Sequence, residues 1–317
     1  MNKIKNKLTI ILVISLMTIS CKQKTSSDQV EEQDGSIVDS TLVKKKEEKT
    51  GTPDLGPSFN PIDSEIAYYS YVDGAQNMAR IFISDLDGGN LREVSTLDSI
   101  GFHTEPKWSR DGKKIAYTNF VNDGAKIMAV TTDGNSLEEL AKVTENGFHM
   151  FTSWDLSGEG YFFFHWPKEG FTPDAYYAKG GKVERLTENG RTNRPHMTES
   201  GKLYVNRIDD LENYVVTKQL FDLKTKSTLD IPKLEGEFIT GGHAIKSVEN
   251  EDSTTLILED LEGNDLKELG IVPYKGIMFT TIDKDLKHVA YNTSFEEGAE
   301  IHLLEISSGE IIKLTEN

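Results

Sequence analysis

Cysteine is almost absent. The 317 residues contain one, Cys21, so no disulfide within the chain can brace the fold. Positive charge is in deficit: 35 Lys and Arg face 52 Asp and Glu, a formal charge of −17. That excludes the basic face that backbone binding of nucleic acid needs, and it excludes a broad electrostatic contact with anionic lipid. The one sustained apolar run, Leu8 to Met17, is too short to span a bilayer comfortably. No G-x-S-x-G elbow occurs, which removes the α/β-hydrolase type of nucleophile. Residues 22–55 hold no aromatic side chain.

The N-terminus is a processing signal. Lys3, Lys5 and Lys7 precede the apolar run, and Thr18-Ile19-Ser20 leads into Cys21. This order resembles a bacterial lipoprotein signal, with Thr18 where Leu is usual. The resemblance implies a signal peptide over 1–20 and lipidation of Cys21, whose acyl chains would anchor the chain to a membrane. Residues 21–55, rich in Lys, Glu, Ser, Asp and Thr, read as a disordered tether. Within it, Ser36 to Val43 alternates weakly.

A repeat fills residues 56–317. Glu105 to Tyr117 reads EPKWSRDGKKIAY, a strand, an Asp-Gly turn and a strand. PSFNPIDSEIAY, SWDLSGEGYFF, PHMTESGKLYV and DKDLKHVAY repeat it. A second phrase closes each repeat, as in IFISDLDGGNLREVS from Ile81 to Ser95. The closing positions Val94, Leu140, Leu186, Ile231, Leu269 and Leu314 are spaced 46, 46, 45, 38 and 45 residues apart. Four strands in about 40–45 residues is the period of a β-propeller blade. The expected fold is all-β, a six-bladed propeller of four-stranded blades. The fifth blade is the shortest and its strand order is open.

These phrases resemble the TolB-like propeller repeat, close to P-x-W-S-P-D-G-K-x-I-A-Y, then D-x-D-G-G and a final L-T. TolB carries an α/β domain before its propeller, for which this sequence has no room. The resemblance implies a protein of the bacterial cell envelope, periplasmic or outer-membrane-associated, that binds a protein or glycan partner, as a monomer and without a cofactor. Phe59, Trp108, Trp154, Met197 and Ile282 share one register and are expected in the core. The run Asp85 to Asn90 lacks the EF-hand spacing and reads as a hairpin turn.

In a propeller, the loops entering the innermost strand surround the channel. His103 and His149 stand five residues before Trp108 and Trp154, and His243 stands five before Val248 if SVENEDSTTLIL is aligned on the repeat. Arg191 and Arg194 fall in the matching loop of the fourth blade, and Trp166 in the long outer loop of the third. This basic and aromatic ring, His103, His149, Arg191, Arg194, His243 and Trp166, suits a small anionic ligand. The three histidines could instead hold a divalent metal. That alternative looks toward oligogalacturonate lyase, a metal-dependent enzyme on acidic polysaccharide. No nucleophile is readable, and a non-catalytic binding module is the leading expectation.

Overall fold

The computed structural model describes residues 51–72, 75–140, 143, 147–238 and 242–316. Cys21, the signal and the Ser36 to Val43 piece lie outside the described residues. Within them the chain is all-β, with a single 3-10 turn at Phe295–Glu297. Its strands form six consecutive antiparallel units of four. The first contains β1 (Asp54–Phe59), β2 (Glu65–Val72), β3 (Ala75–Asp85) and β4 (Arg92–Glu93). The second contains β5 (Phe102–Trp108), β6 (Lys114–Val121), β7 (Gly124–Thr131) and β8 (Leu137–Glu139). The third is β9 (Gly147–Trp154), β10 (Gly160–Pro167), β11 (Asp174–Lys179) and β12 (Lys182–Arg185). The fourth is β13 (Thr192–Met197), β14 (Leu203–Asp210), β15 (Val215–Phe221) and β16 (Thr228–Asp230). The fifth is β17 (Glu237–Phe238), β18 (His243–Glu249), β19 (Thr254–Asp260) and β20 (Asp265–Val272). The sixth is β21 (Met278–Ile282), β22 (His288–Asn292), β23 (Ile301–Glu305) and β24 (Ile311–Lys313).

Each phrase of the repeat has a visible task. The Asp-Gly turn brings Ser109 N–H to Lys114 O at 2.8 Å, and Gly112 takes the positive φ, 68°, that the turn needs. The closing residues tie the outer strand back to the third: Val94, Leu140, Leu186, Ile231 and Leu314 donate to the carbonyls of Ile81, Ile127, Ala175, Lys218 and Ile301 at 2.8–2.9 Å. In three units the hydroxyl that follows accepts that same residue's backbone N–H. Ser95 Oγ takes Ile81 N–H, Thr187 Oγ1 takes Ala175 N–H, and Thr315 Oγ1 takes Ile301 N–H. A buried amide left unpaired is costly, so the final Ser or Thr is a structural requirement. The Asp85 to Asn90 run is the expected turn, with Gly88 N–H on Asp85 O.

Units pack in succession. Trp108 Nε1 donates to Ser58 O at 2.8 Å, and Trp154 Nε1 donates to Lys107 O at 3.3 Å, so each indole reaches the first strand of the preceding unit. Apolar clusters join units one and two, two and three, three and four, and five and six. A further cluster, with Ile66, Tyr68, Ala290, Ile301 and Leu303, seats the first unit on the last. Asp54 N–H to Ala299 O at 2.8 Å adds to that contact. The fourth and fifth units meet through polar groups: buried Lys218 donates to the carbonyls of Glu235 and Gly236.

Two expectations need correction. The first strand begins at Asp54, ahead of the expected boundary at residue 56. In the fifth unit SVENEDSTTLIL supplies the second and third strands, not the first and second. The innermost strand there is the two-residue β17, and β20 runs past Leu269 to Val272. The turn signals are real, but they belong one strand later than the repeat alignment places them.

Candidate functional site

The innermost strands carry a shared bulge. In β1, β5, β13 and β21 two residues oppose one on the neighbour, at Gly56-Pro57, Glu105-Pro106, Arg194-Pro195 and Phe279-Thr280. The first residue of each pair has a left-handed φ, 63°, 51°, 47° and 48° respectively. A bulge re-aims a side chain. Here it brings Arg194 Nη2 within 3.5 Å of Glu105 Oε1. These residues belong to the fourth and second units, which are not neighbours, so the contact crosses the central space.

Further charges converge on it. Glu237, the first residue of β17, is exposed to water, with Lys218, Arg194, Lys107 and His196 near it. Desolvation by the protein around it raises its pKa, but Lys218, Arg194, Lys107 and His196 lower it further, and the net shift is downward. Lys107 is held below the usual lysine value, first by burial and then by Arg194, against Glu105 and Glu237. Arg194 is disfavoured by burial but is driven up overall by Glu105, Glu237 and Tyr214. An acidic protein thus collects Lys107, Arg194 and Lys218 around two carboxylates.

The expected histidines do not join this centre. His103 is fully buried, with Nδ1 3.0 Å from Ser95 Oγ and Nε2 3.4 Å from Asp98 Oδ2. Ser, His and Asp lie in line, yet no solvent path reaches the buried serine or imidazole, and Ser95 already serves the Ile81 amide. Burial, then Arg80, depresses His103 to about 3. His149 is also buried, with Nδ1 on Ala125 O and Nε2 accepting Val143 N–H. His243 opens the second strand of its unit. It therefore stands at the opposite end of the blade-like unit from His103 and His149, which lie where first strands begin. Among the described residues no group of three or more His, Cys, Asp or Glu is placed to hold a metal. The donor set does not fit a three-histidine centre.

Of the other expected residues, Arg194 lies at the centre and Arg191 is exposed just before β13, with Nη1 on Asp209 O at 3.3 Å. Trp166 is 8% exposed and stacked with Phe148 (4.9 Å, 9°) and Phe164 (5.6 Å, 19°). It is buried, so it supports the fold there instead of offering a platform to a ligand. Sequence reasoning missed Lys107, Lys218 and Glu237. The readable signal, the residue before the repeat proline that the bulge turns inward, marks Glu105 and Arg194 but none of these three.

The end of the fold where first strands begin and second strands finish also carries an aromatic arc. Phe295 lies 6.4 Å from Tyr71, and Tyr71 lies 4.9 Å edge-on from Phe102. Phe102 pairs across the strands with Phe120, which approaches Phe148 at 6.4 Å, and Phe148 stacks on Trp166. Phe295 is 51% exposed, and Ile100 and Leu97 beside the arc's strands are exposed as well.

No protein-family model and no curated protein matches this sequence. Solved structures do. TolB from Acinetobacter baumannii superposes with a TM-score of 0.50 at 16% identity, covering 71% of this chain and 55% of that one. The tricorn protease gives 0.59 at 13% identity, covering 84% and 26%. A prolyl endopeptidase gives 0.52 at 13% identity, covering 83% and 49%. The chain spans about half, or less, of each of these three solved chains. At these identities the likeness establishes the fold alone: an all-β chain whose structural neighbours are TolB and related propeller proteins.

Proposed function

We propose that this chain is a non-catalytic binding module of the bacterial cell envelope. Its six units are six propeller blades, and its channel-mouth face receives a protein partner. The observation that carries the reading is the aromatic arc with exposed Phe295, Ile100 and Leu97 at the end of the fold where β5 and β13, the strands of Glu105 and Arg194, begin. Exposed apolar groups gathered at one end of a fold, beside polar groups, mark interaction surfaces. A protein partner is favoured over a glycan because Trp166, the largest ring of the arc, is buried among Phe148, Phe164 and Phe171. The lyase-like alternative requires imidazoles at one centre, and the buried places of His103 and His149 do not favour it.

The likeness to TolB supports an envelope setting, and lipidation of Cys21 would hold the module at a membrane. The test is photo-crosslinking in cells from a probe placed at Ile100. Wild type should yield a discrete adduct that Phe295→Asp abolishes, with the thermal midpoint retained. An adduct indifferent to Phe295→Asp would sink the proposal. Cys21→Ser should move the protein from the membrane to the soluble envelope fraction; an unchanged membrane fraction would reject the anchor.

A further inference from the structure

Glu105 and Arg194 hold equivalent places in two units and meet across the axis, each on a bulge in left-handed backbone. Side chains with a Cβ resist that conformation, and it persists where the surroundings impose it, commonly at functional sites. The contact itself is loose. Arg194 Nη2 stands 3.5 Å from Glu105 Oε1, longer than the roughly 2.7–2.9 Å of a good charge-assisted bond. A guanidinium is built for a planar two-oxygen partner, which this geometry does not supply. Lys107 lies two residues further along the same strand as Glu105 and adds a second cation at the centre.

We propose that Arg194 is a receptor for a ligand carboxylate and that Glu105 is its built-in substitute, displaced when the ligand enters the channel mouth. The inference rests on the binding reading above. It names the chemistry that reaches deepest: a carboxylate, flanked in a protein partner by the apolar groups that cover the arc. A phosphate dianion fits less well, because Glu237 already faces the same cations. Glu105 closes the site in the free protein, so an anion of the medium does not occupy it without first breaking the internal pair.

The test is calorimetric titration of the full chain with two probes, citrate and a pentaglutamate peptide, at fixed ionic strength. Glu105→Gln removes the competing charge and should bind at least one probe about tenfold or more tighter than wild type. Arg194→Gln should bind neither, and Arg194→Lys, which keeps the charge but not the fork, should bind more weakly than wild type. Tightening for the peptide alone assigns the carboxylate to a polypeptide; tightening for citrate alone assigns it to a small molecule. Equal affinities of Glu105→Gln and wild type, no binding of either probe to any form, or binding that survives Arg194→Gln would overturn the inference. Should Arg194→Gln lose its cooperative melt, the Glu105→Gln and Arg194→Lys comparison still decides. Crosslinking lost in Phe295→Asp but unchanged in Arg194→Gln would overturn this inference and leave the protein-binding reading standing.

Discussion

Acid should loosen this fold through one identifiable imidazole. His165 on β10 faces His149 across the strands, with ring centroids 4.5 Å apart, and is 6% exposed. Burial, then His149, lowers its pKa from 6.5 to about 4. A histidine whose folded pKa is depressed binds its proton more readily unfolded. The stability it leaves intact is therefore present above pH 6.5 and is lost as pH falls toward about 4. A tenfold difference in proton affinity between the folded and unfolded chain is worth about 1.4 kcal/mol, so crossing the full window costs about 3 kcal/mol.

The comparison that isolates this group is wild type against His165→Gln, which keeps a side-chain donor but cannot titrate. Urea unfolding followed by the fluorescence of the three tryptophans would be measured from about pH 7 to about pH 4. The wild type should lose about 3 kcal/mol more than the variant across that range. His103 and the carboxylates are present in both proteins, so their contributions cancel in the difference. Parallel curves would refute the reasoning, because His165 would then carry the same proton affinity folded and unfolded.

The packing makes further predictions. Trp108→Phe strands Ser58 O and should cost about 1–3 kcal/mol, whereas Trp108→Ala should cost about 3–5 kcal/mol; chemical unfolding separates them, and a Trp108→Phe variant as stable as wild type would deny the indole bond a role. Thr187→Val removes the acceptor of Ala175 N–H and the donor to Asp174 Oδ1, for a loss of about 1–3 kcal/mol that Thr187→Ser should largely restore. Gly101 has φ 105°, and a methyl group there would meet the Asn119 side-chain oxygen and Phe120 O. Gly101→Ala should therefore cost about 2 kcal/mol or more in the same assay.

The repeat was legible because its signals are local: a turn glycine, a closing Leu-Thr step, an indole at fixed distance from the turn. The histidines were misread for a reason that is local too. Five residues separate His103 from Trp108, and strict strand alternation puts such a pair on opposite faces. The bulge at Glu105-Pro106 adds one residue, so both return to the face packed on the preceding unit. His149 and Trp154 do the same through the register shift between Phe151 and Ser153. That inserted residue buries the imidazoles and at the same stroke turns Glu105 inward. In the fifth unit β17 has two residues, too short to carry the repeat phrase, so the alignment slid to the next hairpin and misplaced His243. The bulge thus decides which polar side chains become core and which reach the axis. Deleting Pro106 should remove the extra residue, release Glu105 from Arg194 and expose the Trp108 register. The variant should show a red-shifted tryptophan emission and a lowered melting midpoint. An unchanged emission maximum with an unchanged midpoint would mean that the strand tolerates either register, and that the bulge does not govern the site.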